Sequence, residues 1–150
     1  MRAVVTRVAS ASVQVDGVTV GAIERGFLIL LGVGPRDGEA QCKALADKIL
    51  GLRVFEDEKG KMNLGLEQVG GQVLVVSQFT LHASTRKGNR PSYIKAAPEA
   101  ISRPLYERFA AGVGRALGRE VATGEFGADM QVELVNDGPV TIWIDSRQRE

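Results

Sequence analysis

Cysteine and histidine are almost missing from this chain. Cys42 is the only cysteine and His82 the only histidine. One cysteine leaves no internal disulfide, which fits a reducing cytoplasm. One of each leaves too few of the usual ligands for a zinc site within one chain, and no metal or other cofactor is expected. No apolar run approaches the roughly 20 residues that span a bilayer. The start, Met1-Arg2-Ala3-Val4-Val5-Thr6-Arg7, has no apolar core of signal-peptide length. A cytoplasmic location without membrane contact is expected. A P-loop is absent, and Gly32-Val33-Gly34 lacks the third glycine of a dinucleotide loop, so it reads as a tight turn.

Acidic residues are absent between Gln68 and Pro98, a span that holds Arg86, Lys87, Arg90 and Lys95. The net charge of the chain is +1, so everything outside that span is net negative. One basic loop on a slightly acidic body can draw a phosphate-bearing ligand. The alternative is a solvated loop with no partner.

What is present is ordinary globular material. The 150 residues are 44% apolar and 25% charged, which fits one soluble domain over 1–150. The rest of the chain is arranged around Gln72 to Leu81. Its apolar run follows Gly70-Gly71 and reads as a central strand buried on both faces. Side chains alternate along a strand. Val73, Val75, Ser77 and Phe79 then share one face, and Leu74, Val76, Gln78 and Thr80 the other. A core strand that ends in polar groups either bonds backbone there or receives something polar, because burying such groups unpaired costs free energy.

Other strands are expected over Ala3–Val8, Ser12–Val15, Val18–Ile23, Phe27–Val33, Arg53–Glu56, Met130–Val135 and Val140–Asp145. Asp16-Gly17 marks a hairpin turn. Asp37 is the expected N-cap of a helix from about Gly38 to Val54, with Leu45, Ile49 and Leu52 on one stripe and Cys42 beside it as core. A second helix is expected over Pro98 to Gly118. Pro104 pushes its regular start to about Ser102, and Gly118 is its C-cap. Residues 82–93 read as a long loop and Ser146–Glu150 as a frayed tail. The fold class is α+β, with a curved mixed or antiparallel sheet and two main helices.

Generic catalytic sets are thin. Thr80 and His82 would share a face if the strand ran on, as nucleophile and base. No carboxylate nearby in sequence orients the imidazole, and His82 reads better as a solvated loop residue. Asn136-Asp137-Gly138-Pro139-Val140-Thr141 interrupts the last two strands. Its Gly-Pro unit is either a trans turn or bulge, or a device that aims consecutive carbonyl oxygens one way, as acceptors for an ammonium group.

Ser77-Gln78-Phe79-Thr80, taken with Asn136-Asp137-Gly138-Pro139-Val140-Thr141, resembles the paired signature of D-aminoacyl-tRNA deacylases. The likeness extends to Arg7-Val8, Ala11-Ser12-Val13, Gly60-Lys61-Met62-Asn63, Lys87-Gly88-Asn89-Arg90-Pro91-Ser92 and Phe126-Gly127-Ala128-Asp129-Met130. The resemblance implies a homodimer with a barrel-like β core and two active sites at its interface. It implies hydrolysis of the ester that joins a D-amino acid to the tRNA 3′ end, and action on glycyl-tRNA mischarged on tRNA-Ala.

Under that resemblance Thr80, Gln78, Gly138 and Pro139 are the catalytic set. Ser77, Phe79, Met130, Arg7 and Asn136 bind substrate, and Arg86, Lys87 and Arg90 meet acceptor-stem phosphates. Gly138-Pro139, with a cis bond, reaches into the partner's site, holds the α-amino group and refuses an L side chain. Thr80 acts either through its hydroxyl or through its backbone N–H; the lack of a base near it favours the second. Tyr93 departs from the family's more common Phe. Four other readings stand beside it: a non-catalytic nucleic-acid-binding module, a hydrolase of small D-amino acid derivatives, the sister family that edits L-alanine from mismatched tRNA, and a purely structural dimer module, which gives no reason for polar groups ending a core strand.

Overall fold

Two aliphatic runs form the middle of the sheet. In the computed structural model, which describes residues 1–148, β3 (Gly26–Gly32) and β6 (Gln72–Ser77) lie side by side and parallel. Their register runs from Gly26 opposite Gln72 to Leu31 opposite Ser77. Both strands are buried on both faces, as a continuous apolar run requires. Phe27, Ile29, Leu31, Val73 and Val75 enter one cluster, and Leu28, Leu74 and Val76 enter the other.

β1 (Arg2–Val15) is a single strand of 14 residues rather than two short ones. Its first half pairs antiparallel with β3 and its second half with β2 (Val18–Ile23). β8 (Gln131–Asp145) pairs antiparallel with β1 along its length. β7 (Ala122–Thr123) adds parallel to β6, giving the order β2-β1-β3-β6-β7 with β8 on β1. The two ends of that order meet. An added Cβ on Gly21 of β2 would lie 2.5 Å from the Thr123 carbonyl oxygen of β7, so only glycine admits the approach. The result is a barrel-like mixed sheet. β4 (Phe55–Glu56) and β5 (Met62–Leu64) form a separate pair.

Two helices cover one face. α1 (Glu39–Leu50) contributes Cys42, Leu45, Ala46 and Ile49 to the larger cluster, and α2 (Glu99–Leu117) contributes Tyr106, Phe109 and Val113. Cys42 is core, as expected, and burial raises its thiol pKa. Three expectations need correction. Asp37 does not cap α1; Gly38 does. The Asp37 carboxylate instead accepts the Gly34 N–H at 2.7 Å and pairs with the Met1 α-ammonium at 2.6 Å and Arg147 at 3.1 Å. α1 ends at Leu50 with Gly51 as its cap, short of Val54. α2 begins at Glu99 despite Pro104, because its opening turn closes on Pro98, whose carbonyl accepts from Ile101 and Ser102. Gly118 caps it in the left-handed conformation, φ 67°, as expected.

The expected tail is tied down at its start. The Ser146 N–H donates to the Met1 carbonyl at 2.9 Å, and the Met1 ammonium donates to Ser146 Oγ at 2.9 Å. The rest of that expectation, on Arg149 and Glu150, lies outside the described residues. No helix among the described residues is long and apolar enough to cross a membrane.

Candidate active site

The central strand stops earlier than its alternation predicts. The Gln78 N–H donates to Leu31 O at 2.7 Å, the last rung against β3, and the chain then turns. Residues 79–82 form one 3-10 turn, with Gln78 at φ −142°, ψ 76° before it. Thr80 is therefore not on a strand face shared with Gln78. The Gln78 side-chain amide donates to Thr80 Oγ1 instead. The N–H groups of Phe79 and Thr80 open the turn and have no acceptor within it.

Beside this turn lies a cavity of about 270 Å³. It brings together Ser77, Gln78, Phe79 and Met130 from the expected site residues. Val76, Tyr106, Phe126 and Val132 are among the residues that form the rest of the wall. Met130 has room because position 124 is glycine; a Cβ there would lie 2.6 Å from Met130 Sδ. Phe79 is 56% exposed at the mouth and meets Tyr93 edge to face, ring centroids 5.1 Å apart. An apolar cleft with a few polar groups at one end suits a flat ring with a polar edge.

Tyr106 of α2 is a wall residue that is not among the expected site residues. Its hydroxyl donates to Val75 O at 3.0 Å. Burial pushes its pKa up to about 12, so it stays a neutral donor. The signal was available: Ser102 and Tyr106 stand four apart on α2, a polar and an aromatic residue on the inner face.

His82 is not a solvated loop residue. It is 7% exposed, and its Nε2 has no partner among the described residues. No hydrogen bond joins it to Thr80, so the Thr-His dyad does not form.

The other expected residues gather elsewhere, at a wide bulge in β8. Asn136 pairs with Val8 and Thr141 with Thr6, so Asp137 to Val140 stand opposite Arg7 alone. Arg7 is buried beneath them. Its Nε donates to Asp137 O at 2.9 Å and its Nη1 to Val54 O at 2.6 Å. Asn136 clamps the base of the bulge: Oδ1 accepts the Val140 N–H at 2.9 Å and Nδ2 donates to Thr141 Oγ1 at 2.9 Å. Gly138 has φ +129° and Gly138-Pro139 is cis. Both residues are exposed. Arg7 and Asn136 thus bond the chain itself and do not line the cavity. Arg86, Lys87 and Arg90 are exposed on a loop closed by mutual Ser84–Ser92 hydrogen bonds of 2.8 and 2.9 Å.

The model of the D-Tyr-tRNA(Tyr) deacylase family matches residues 4–145. The chain belongs to this family. The cavity and the bulge are therefore features of a deacylase, a hydrolase. A curated relative from Bacteroides thetaiotaomicron named D-aminoacyl-tRNA deacylase is 57% identical over 150 residues, covering 100% of each chain. Among solved structures, one titled c-Myc DNA Unwinding Element Binding Protein is 40% identical, with a TM-score of 0.90 over 97% of this chain and 98% of that one. A second, titled as a probable eukaryotic D-amino acid tRNA deacylase, has a TM-score of 0.82 over 95% of this chain and 97% of that one. At 19% identity it shows the fold alone.

Proposed function

We propose that this deacylase hydrolyses the ester of D-aminoacyl-tRNA, and of glycyl-tRNA mischarged on tRNA-Ala, and that it works as a homodimer. The observation that carries the reading is the meeting of Ser77, Gln78, Phe79 and Met130 at one cavity beside an open 3-10 turn. The cavity takes the 3′-terminal adenosine. The Thr80 N–H, with Gln78 beside it, faces the oxygen on which charge develops as water adds to the ester carbonyl. The carbon–oxygen bond to the ribose then breaks, the ribose oxygen takes a proton, and free tRNA and the D-amino acid leave. One such donor is worth about 10²–10³ in rate. The tRNA 2′-hydroxyl assists water, because no side-chain base stands at Thr80 among the described residues.

Gly138 and Pro139 stand opposite Arg7 of β1, six residues along that strand from Val13, the partner of Val132 in the cavity wall. A strand rises about 3.3 Å per residue, so roughly 20 Å separates them, too far for a chain to serve its own cavity. A second copy supplies the pair, its carbonyl oxygens accept the substrate ammonium, and its backbone refuses an L side chain. β8 leaves Leu134, Val135 and Trp143 at 42, 56 and 52% exposure on either side of the bulge, apolar area that such a dimer would cover. Arg86, Lys87 and Arg90 meet acceptor-stem phosphates.

Matched time courses on D-Tyr-tRNA and L-Tyr-tRNA test the reading. Loss of the D ester alone supports it. L-Ala-tRNA run alongside separates it from L-alanine editing. Sedimentation at micromolar concentration tests the dimer. The relative titled as a DNA-unwinding-element binder favours one second reading, nucleic-acid binding without turnover. It predicts salt-sensitive binding and no cleavage of either ester.

A further inference from the structure

The turn that carries Phe79 and Thr80 ends on His82, the one residue of that turn that is buried. Its ring fills space left by two glycines at the end of β3. A Cβ on Gly32 would lie 3.1 Å from His82 Cδ2, and one on Gly34 3.3 Å from Cε1. Charged groups face the ring from each element packed against it: Arg2 of β1, the Met1 α-ammonium, and Asp37 between β3 and α1. The nearby carboxylates already have partners. Asp37 holds the ammonium and Arg147, and Asp145 holds Arg2 at 3.0 Å. Arg2 also donates from Nη1 to Leu81 O at 2.8 Å, inside the same turn.

We propose that His82 is a positioning residue of the active site: its neutral ring, wedged against Gly32 and Gly34, holds the Phe79–Thr80 turn in place, and a proton on it loosens that turn and stops deacylation in acid. A charged ring would sit in a buried slot close to two cations, Arg2 and the Met1 ammonium, while the nearby carboxylates among the described residues, Asp37 and Asp145, are already paired. It would press on Arg2, which is bonded to the turn. Burial is the largest influence on the ring and lowers its pKa below the ordinary 6.5; the Gly32 backbone opposes this, Arg2 and the ammonium add to it, and Asp37 opposes it. The unfolded chain therefore binds the proton more readily than the folded one. The wedge is intact above pH 6.5 and is lost as pH falls from there through the folded pKa.

The inference rests on the deacylase reading for its rate measurement only. The lone histidine makes its Cε1–H resonance identifiable without assignment. Nuclear magnetic resonance of the full chain should show that imidazole titrating below 6.5, with the Thr80 amide shifting at the same midpoint. The kcat for D-Tyr-tRNA, corrected for spontaneous hydrolysis, should fall with that midpoint while KM holds. In His82→Asn and His82→Gln, which cannot take the charge, the Thr80 shift and the acid limb should both disappear. An imidazole titrating at 6.5 or above, a Thr80 amide indifferent to it, or the same acid limb in wild type and both variants would overturn the proposal. No turnover of the D ester at pH 7.5 would overturn the deacylase reading instead, and the resonance measurement would still decide the wedge.

Discussion

The cavity beside β6 and the bulge in β8 use polar groups in opposite ways. At the cavity, Ser77 and Gln78 stand at the edge of an apolar cleft, and the turn after them leaves N–H groups without internal acceptors. At the bulge the side chains are consumed inward. Arg7 holds the Asp137 carbonyl, Asn136 holds Val140 and Thr141, and what faces outward is the backbone of Gly138 with Pro139. One region keeps a space open, and the other fixes a projecting backbone. The difference teaches that a polar signature in sequence can mark residues that build a site from beneath as well as residues that line it.

The comparison breaks most sharply at Gly138. A Cβ there would lie 2.8 Å from an Arg7 guanidinium nitrogen and 2.9 Å from Val140 Cγ2, at φ +129°. Backbone forced into such a region costs about 1–3 kcal/mol, so the bulge must shift. Gly138→Ala is expected to lower kcat/KM for D-Tyr-tRNA by at least about 100-fold, the scale of a 1 Å misplacement. Adenosine binding at the cavity, measured by calorimetry, should stay unchanged. Equal loss of both would mean that the two regions are one.

The clamp comes next. Asn136→Ala removes two hydrogen bonds and leaves the Val140 N–H and the Thr141 hydroxyl without their partner. Each such bond is worth about 0.5–1.5 kcal/mol. The expected result is a loss of about tenfold in the ratio of D to L hydrolysis, with KM for the D ester nearly constant. A rise in KM with an unchanged ratio would move Asn136 from beneath the bulge to the substrate.

The basic loop belongs to neither region and should act on affinity alone. Replacing Arg86, Lys87 and Arg90 together with Gln should raise KM for aminoacyl-tRNA and flatten its log–log salt dependence by roughly 2–3, about 0.7–0.9 for each phosphate contact. A minimal aminoacyl-adenosine should not distinguish the variant from wild type. If it does, the loop is shaping the cavity.

Much of this was legible in sequence, and the failures share one cause. The continuous apolar run located β3 and β6 because burial on both faces writes itself into every residue of a strand. Alternation failed at Phe79 and Thr80 because a strand lasts only as long as its neighbour. β3 ends at Gly32, Leu31 O takes the last N–H, and nothing remains for a longer β6 to pair with. The same lack of information about partners hid three other features. Asp37, a sound cap by type, is held by the ammonium and Arg147, far away in sequence. His82 is buried by glycines 50 and 48 positions earlier, at 32 and 34. Asn136 to Thr141 read as a break, yet β8 continues through it because β1 continues opposite.

The smallest expected effect falls on the residue that generic chemistry would pick first. Thr80 Oγ1 accepts the Gln78 amide, and no base reaches it among the described residues, since the imidazole two positions on is turned into the core. A hydroxyl in that role orients Gln78 and is worth one hydrogen bond. Thr80→Ala keeps the backbone N–H and should lower kcat for D-Tyr-tRNA by only about two- to tenfold, the equivalent of about 0.5–1.5 kcal/mol. Thr80→Ser should be close to wild type. A hydroxyl acting as nucleophile would behave otherwise. Its removal would leave only the residual rate that donors and binding supply, a loss of about 10⁴ or more, and an acyl-enzyme would accumulate in a burst before the steady state. Single-turnover kinetics on the Ala variant therefore decide whether this site works by a side chain that attacks or by a backbone held still.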